Sequence, residues 1–274
     1  MFETALILRE TILASVFAGI GCSVVGVFIF CLRIPFVGVL ISHAAMAGAI
    51  LAQFLHWPEL PAAMGMALLS VFFVGPLADR TDMDVNVSLS ILFSLMMGLA
   101  FLGIGIIPEP RTPMLTLLWG NILLATARDV LVMGIVTLLV LGCLRLGYKE
   151  IKTVLFSRTV AAAVGIREDL VFYALLVLSG AVVSVNLNSI GGLMLYSLLI
   201  NPAAGAYQLA YRLRSMILIA ALLGVGAALM GLLCSYFWAL PTGASIVICS
   251  SLEFAVCAML SPKRGRFRRE RTEP

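Results

Sequence analysis

The chain has 274 residues, of which 62% are hydrophobic and only 12% are charged, and its mean hydropathy is +1.10. A soluble domain is only about half apolar, so this composition predicts a polytopic membrane protein. No long polar block interrupts the sequence, which excludes a fused soluble catalytic domain and leaves a single transmembrane domain over residues 1–262. The net charge of +4 reflects the basic stretch 263–274, which is typical of a cytoplasmic tail rather than of nucleic-acid binding.

The apolar runs predict an all-α fold with eight or nine transmembrane helices, because a spanning helix needs about 20 apolar residues. The first run lacks a basic leader and a small-residue cleavage site, so it is interpreted as a retained span. A shorter apolar piece, Met114 to Thr126, is predicted to be re-entrant or interfacial. The nine candidate spans cover residues 11–32, 36–55, 60–78, 87–107, 127–147, 170–187, 189–208, 215–237 and 243–260.

The basic residues are divided unequally between the two sides of this predicted bundle. With nine crossings and the tail inside, 15 of the 18 Lys and Arg residues lie on the cytoplasmic side and three lie outside. Cytoplasmic loops of membrane proteins carry such an excess of basic residues. The distribution therefore predicts a cytoplasmic C-terminus, although a half-crossing segment would reduce the number of spans to eight.

The segment Arg33 to Leu55 is apolar but carries Ser42 and His43 near its middle. A histidine at hydrocarbon depth is costly to bury and is by default a functional hypothesis, although one imidazole can also serve only to hydrogen-bond a neighbouring helix. Met46 lies one helical turn after His43 on the same face, where its thioether is a candidate soft ligand. The only other histidine, His56, falls in a loop and is interpreted as a solvated interface residue.

Motifs for catalysis are absent from the sequence. It contains no HExxH, no GxSxG and no phosphate-binding Walker loop. The six cysteines are scattered through apolar runs without the spacing of a zinc site or of a disulfide framework, so they are interpreted as small buried hydrophobes. Transport remains the leading class of function.

The predicted cytoplasmic connection 148–169 is long and polar. Within it a short helix is predicted, with Ser157 as its N-cap and Gly165 as its stop. Such a helix could receive the push of a soluble motor protein, or it could be an ordinary surface helix between two spans. The residues alone leave both interpretations open.

Two further polar features lie at or near predicted spans. The stretch 186–189 is predicted to connect two spans on the outer side, and Asn188 is a candidate pathway residue there. Asn201 precedes Pro202 in the next span, where proline removes a backbone donor and bends the helix. Glu253 is a carboxylate inside the last span, where it either belongs to a proton or cation path or is neutralised by a nearby donor.

Five motifs in order along nearly the whole chain resemble the membrane permeases of the manganese, zinc and iron (metal-chelate type) ABC importers. No single motif is decisive, but their common order is specific. They lie at Leu32–Gly48, Leu118–Thr126 (LWGNILLAT), Ala161–Ile166 (AAAVGI), Gly191–Ala210 (GGLMLYSLLINPAAGAYQLA) and Tyr236–Val247 (YFWALPTGASIV).

The resemblance implies a type II importer permease in the plasma (inner) membrane of a bacterium, working as a homodimer around a central pathway. It also implies a separate cytosolic ATPase, so that the chain itself is not an enzyme, and an extracytoplasmic binding protein that delivers the metal. A metal ion or metal chelate is then the cargo, and no cofactor is bound permanently. The residues that the resemblance assigns to ATPase coupling are Phe156, Ser157, Arg158, Ala161, Val164 and Gly165.

In that family the central motif reads GDALSHA, and its Asp and His resemble transient cation ligands of the pathway. The aligned residues here run from Gly38 to Ala44. His43 keeps its place, whereas the Asp position is occupied by Val39, one turn earlier on the same face. A valine side chain cannot bind Mn²⁺ or Zn²⁺, so half of the expected ligand pair is missing.

This substitution leaves the cargo open. Asn201 and Glu253, polar where the family is usually apolar, could compensate for the missing carboxylate. The cargo could instead be Fe²⁺, a softer cation assisted by Met46, or a metal chelate that needs no bare-ion ligands. An alternative from another class is a proton-coupled secondary transporter that uses Glu253 and His43.

Overall fold

The computed structural model describes residues 2–81, 84–106, 120 and 122–263, and every regular element within them is helical. The all-α prediction is confirmed. The helices are α1 (Phe2–Cys31), α2 (Phe36–Leu55), α3 (Glu59–Thr81), α4 (Val85–Ile106), α5 (Ala127–Leu146), α6 (Tyr148–Phe156), α7 (Arg158–Ala163), α8 (Glu168–Ile190), α9 (Gly192–Leu209), α10 (Leu213–Trp238) and α11 (Thr242–Met259), with a 3₁₀ turn at Ile122–Leu124.

Nine long helices in the described ranges coincide with the nine predicted spans, and α6 and α7 fill the predicted cytoplasmic connection. Seven of these long helices are apolar enough and long enough to cross a membrane, whereas α3 has a shorter apolar part, Glu59–Val74. The chain is therefore a multi-pass membrane protein. Most of the predicted re-entrant piece, 114–126, and of the basic tail, 263–274, lies outside the described residues.

The prediction that 186–189 forms a loop is wrong, because α8 continues to Ile190. Asn186 remains helical since its side-chain amide donates to the carbonyl oxygen of Val182 at 2.7 Å, one turn earlier. The reversal between α8 and α9 is confined to Gly191, whose φ of +86° is a conformation that favours glycine. Pro202 lies inside α9, and the helix runs through it to Leu209.

Helices α1 and α2 lie at the centre of the bundle, whereas α4, α5, α10 and α11 expose most of their residues. Close packing around α1 depends on small residues, as is common between membrane helices. A Cβ at Gly19 would lie 2.7 Å from the carbonyl oxygen of Gly224 on α10. A Cβ at Gly26 would collide with the backbone of Leu199 on α9. These contacts fix α9 and α10 against α1, and α9 also packs on α2 and α11.

Several cationic residues gather at one end of the bundle, called here the basic end and defined by Arg33, Lys152, Arg212 and Lys263, which border one cavity. The end of α11 is tied to the end of α9 there, because the Ser261 hydroxyl donates to the carbonyl oxygen of Gln208 at 3.0 Å. The basic end therefore collects the connections α1–α2 and α9–α10 together with α6.

Candidate functional site

Helix α2 buries the polar residues on which the predicted site is centred. His43 is only 4% exposed, and its ring meets the edge of Phe93 on α4 with 5.0 Å between ring centres. Its Nδ1 lies 2.9 Å from the carbonyl oxygen of Val39. Because a carbonyl can only accept, Nδ1 carries the hydrogen, and in the neutral ring the lone pair of Nε2 remains free to bind a metal.

The other α2 residues of the predicted site are also buried. The Ser42 hydroxyl donates to the carbonyl oxygen of Gly38 at 2.8 Å, within its own helix. Met46 is fully buried one turn beyond His43. Val39 is half-buried and contributes its backbone oxygen to the orientation of His43, but its side chain offers no ligand. This face of α2 therefore presents an oriented imidazole without a carboxylate beside it.

A second polar group joins α9 to α11, and we call it the amide cluster: Ser197, Asn201, Ser250 and Ser251. The Asn201 amide nitrogen lies 2.9, 3.1 and 3.1 Å from the hydroxyl oxygens of the three serines, so its two N–H groups are shared among three acceptors, and the hydroxyls of Ser197 and Ser250 are 2.7 Å apart. Ser250 and Ser251 in turn donate to the carbonyl oxygen of Val247. Asn201 was predicted from the sequence as a pathway candidate, whereas its three serine partners were not.

Glu253 lies one turn after Ser250 on α11 and is half-buried. Its Oε1 rests against Gly226 of α10, where a Cβ would come within 2.9 Å of it. Its buried Oε2 has no hydrogen-bond partner in the structure. The carboxyl group thus follows the amide cluster on α11, and among the described residues no donor is paired with its Oε2.

His43, Asn201 and Glu253 lie at a similar depth in the bundle. His43 lies seven residues after the first residue of α2, and Asn201 and Glu253 lie eight and six residues before the last residues of α9 and α11, so each is about 9–12 Å from the end of its helix at the basic end. Within one chain, α9 packs on both α2 and α11. These helix positions indicate a similar depth for the three side chains, on three helices of which α9 is the middle one.

The C-terminal end of α8 holds the remaining predicted residue. The backbone of Asn188 is helical, and its side chain lies outside the described residues. Asn186, about half a helical turn earlier, is 1% exposed, and its Oδ1 has no hydrogen-bond partner among the described residues. Across the part of the chain that the structure describes, no three His, Cys, Asp or Glu side chains gather into a metal site.

The predicted short helix after the fifth span is confirmed as α7. The Ser157 hydroxyl accepts the backbone N–H of Val160 at 3.3 Å, so Ser157 is its N-cap. Gly165 follows the helix with a φ of +80°, and Ala161 is fully buried. The preceding helix, α6, was not predicted from the sequence, and it extends the segment to Tyr148.

The outward face of this segment is apolar. Phe156 is 84% exposed and Val164 is 64% exposed. The guanidinium of Arg158 lies 4.5 Å from the ring centre of Phe172 on α8, which holds α7 against the membrane domain. A capped helix with exposed apolar side chains on both flanks can serve as a docking surface for another protein.

Comparisons with known proteins cover nearly the whole chain. A family model described as the ABC 3 transport family matches residues 4–261. The manganese import system permease protein ScaB of Streptococcus gordonii is 29% identical, with 96% of this chain and 94% of that protein covered. The high-affinity zinc uptake system membrane protein ZnuB of Haemophilus influenzae is 26% identical, with 93% and 97% covered.

A solved structure shares the fold. The structure described as PsaBC from Streptococcus pneumoniae in complex with Fab is 26% identical and superposes with a TM-score of 0.88, covering 96% of this chain and 95% of that chain. The arrangement of helices described above is thus that of a known transporter subunit. The resemblance predicted from five sequence motifs is confirmed, and the chain belongs to the ABC 3 transport family.

Proposed function

We propose that this chain is the permease subunit of an ABC importer that carries a transition-metal ion, or a chelate of one, across the plasma membrane of a bacterium. The observation that carries the proposal is the family match over residues 4–261. The relatives named for manganese import and zinc uptake, which match along 94% and 97% of their length, support a metal as the cargo. An extracytoplasmic binding protein delivers that cargo, and a separate cytosolic ATPase supplies the energy.

The basic end of the bundle faces the cytoplasm in this proposal. The excess of Lys and Arg at that end supports the orientation, and residues 263–274 then form a cytoplasmic tail. The segment 148–169, with α6 and α7, meets the ATPase. Exposed Phe156 and Val164 are suited to a cleft in that partner, while Ser157, Arg158, Ala161 and Gly165 fix the segment's shape. Closure of the ATPases on nucleotide would shift this segment and rock the permease between its two states.

His43 acts as a transient metal ligand in the pathway. Its burial at mid-membrane and the orientation of its ring by the Val39 carbonyl support this role. Metal-binding histidines commonly donate the other ring N–H to a carbonyl, which aims the free nitrogen. In this conformation the imidazole packs on Phe93, so binding requires α2 and α4 to part. Ser42 and Met46 line the same helix as secondary contacts.

Asn201 and Glu253 supply oxygen at the depth of His43. Both side chains are only half-buried, and Ser251 between them is exposed. Polar and acidic groups at this depth are costly against lipid and are normally covered by protein or by a water-filled path. We infer that a second copy of the chain covers this face, so that a homodimer of residues 1–262 encloses the pathway. Asn188 lies at the outer entrance of the same path.

The valine at position 39 affects which metals the pathway can bind. Without a carboxylate one turn from His43, a hard cation such as Mn²⁺ has one strong ligand fewer on α2. Glu253 either replaces that ligand from α11, or the cargo is softer or chelated. The experiment is elemental analysis of cells with and without the gene, each starved of manganese, zinc or iron in turn. Accumulation of one metal should fall without the gene and return on complementation, and unchanged contents of all three would contradict the proposal.

A proton-coupled carrier would need His43 and Glu253 to share a proton path without an ATPase. Within one chain these residues are on α2 and α11, and α9 packs against both. Two observations separate the functions. Co-purification of an ATPase with the permease supports the importer, whereas proton-driven uptake by the permease alone in vesicles would support the carrier.

A further inference from the structure

A cavity of about 1250 Å³ opens at the basic end, between the ends of α1, α9 and α10 and the helix α6. Four cationic residues line it: Arg33, Lys152, Arg212 and Lys263. No Asp or Glu is among the described residues that line it. Like charges that share one concave surface raise the local positive potential and attract an anion.

One of these cations, Lys263, is held in place by the contacts of its ammonium group, and the backbone of another, Arg33, is fixed in a turn. The ammonium of Lys263 lies 3.8 Å from the ring centre of Tyr207 and donates to the carbonyl oxygen of Tyr207. Arg33 occupies the turn between α1 and α2 with a φ of +61°, and its backbone N–H donates to the carbonyl oxygen of Phe30 at 3.1 Å. Charged groups that are positioned in advance lose little freedom when they bind a ligand.

The remaining wall of the cavity is apolar and aromatic. Phe30, Leu213 and Met216 belong to the membrane-spanning helices α1 and α10, and Tyr211 stands at the edge beside Lys263, with 5.1 Å from its ring centre to the ammonium. A cationic rim over an apolar wall, at the level where spans end, fits a head group in the rim with an acyl chain along the wall. Arg and Lys are the side chains that recognise phosphate.

We propose that this cavity binds the phosphate head group of an anionic phospholipid of the cytoplasmic leaflet, which is an inference that rests on the orientation proposed above. Basic pockets between spans on the cytoplasmic side are suited to such head groups. The bound lipid would join Lys152 of α6 to the ends of α1 and α10, and so would steady the segment that leads to Ser157.

The test measures lipid retained by the purified full-length permease after extraction from membranes of phosphatidylcholine and phosphatidylglycerol in equal amounts, by native mass spectrometry. The double variant Arg212→Gln with Lys263→Gln removes two cations of the cavity. The matched control, Arg145→Gln with Lys149→Gln, removes two exposed cations that do not line it. Neither lipid retention nor its loss depends on metal uptake, so a failed importer hypothesis would not be mistaken for a failed lipid site.

The cavity variant should bind phosphatidylglycerol about 25-fold more weakly, since each basic residue near an anionic lipid strengthens binding about fivefold. The control should retain it, and phosphatidylcholine retention should be equal in all proteins. Equal loss of phosphatidylglycerol in both double variants would overturn the site. Binding of inorganic phosphate by the unaltered permease without retention of phosphatidylglycerol would overturn the lipid as ligand. If the double variant does not fold, Lys152→Gln serves in its place and should weaken the binding of phosphatidylglycerol about fivefold.

Discussion

The contact between α1 and α9 gives a direct physical test of the packing. A Cβ at Gly26 would overlap the carbonyl oxygen of Leu199 and lie 2.7 Å from its carbonyl carbon. Both partners are backbone, so no side chain can turn aside, and Gly26→Ala must push the two helices apart. Overpacking of this kind costs about 3 kcal/mol, and the better helix propensity of alanine returns at most about 1 kcal/mol. The net loss of about 2 kcal/mol should lower Tm by about 4–8 °C.

The assay is thermal unfolding of the purified permease, followed by the fluorescence of its three tryptophans. Gly98→Ala on α4 is the matched control, because a Cβ at Gly98 meets nothing within 4 Å. We expect Tm of the control to stay the same or to rise. Equal Tm values for the two variants would refute the close approach of α1 and α9.

Three further predictions concern the functional residues. Ser157→Ala removes the N-cap of α7 at a cost of about 1 kcal/mol, so amide exchange in α7 should quicken while that of the spans stays unchanged; unaltered exchange would argue against the cap. Asn201→Leu removes an amide whose two N–H groups are shared among three hydroxyl oxygens, and at about 0.6 kcal/mol for each N–H in a membrane the loss of about 1.2 kcal/mol should lower Tm by about 2–5 °C; an unchanged Tm would mean that the amide is not the centre of the cluster. Val39→Asp places a carboxylate one turn from the imidazole and should increase Mn²⁺ or Zn²⁺ retention; an unchanged metal preference would place selectivity elsewhere.

The sequence alone was sufficient to predict the nine long helices, because each apolar run is bounded by polar or turn residues that mark its ends. It also predicted the cap of α7, since Ser157 and Gly165 act within a few residues of the helix that they bound. Local signals of this kind need no knowledge of which helices touch. His43 was selected for the same reason, as a polar residue in an apolar run.

Long-range contacts were not predictable in this way. Asn201 meets Ser250 and Ser251 from 49 and 50 residues away, and periodicity cannot say which helices pack together. The cavity at the basic end is hidden for the same reason, because its four cations come from separate connections. The end of α8 was misplaced because Asn and Ser are typical of loops, whereas Asn186 here satisfies its amide within the helix.

The proposed function depends on a metal passing His43. The two histidines of the chain allow a matched comparison. His43→Ala removes a buried imidazole, whereas His56→Ala removes an exposed one at the end of α2. The measurement is metal accumulation in cells that carry either variant with the intact ATPase and binding protein. Uptake should fall by at least about tenfold in His43→Ala, with membrane levels of the permease and basal ATP hydrolysis unchanged, and should be normal in His56→Ala. Normal accumulation in His43→Ala would contradict the account.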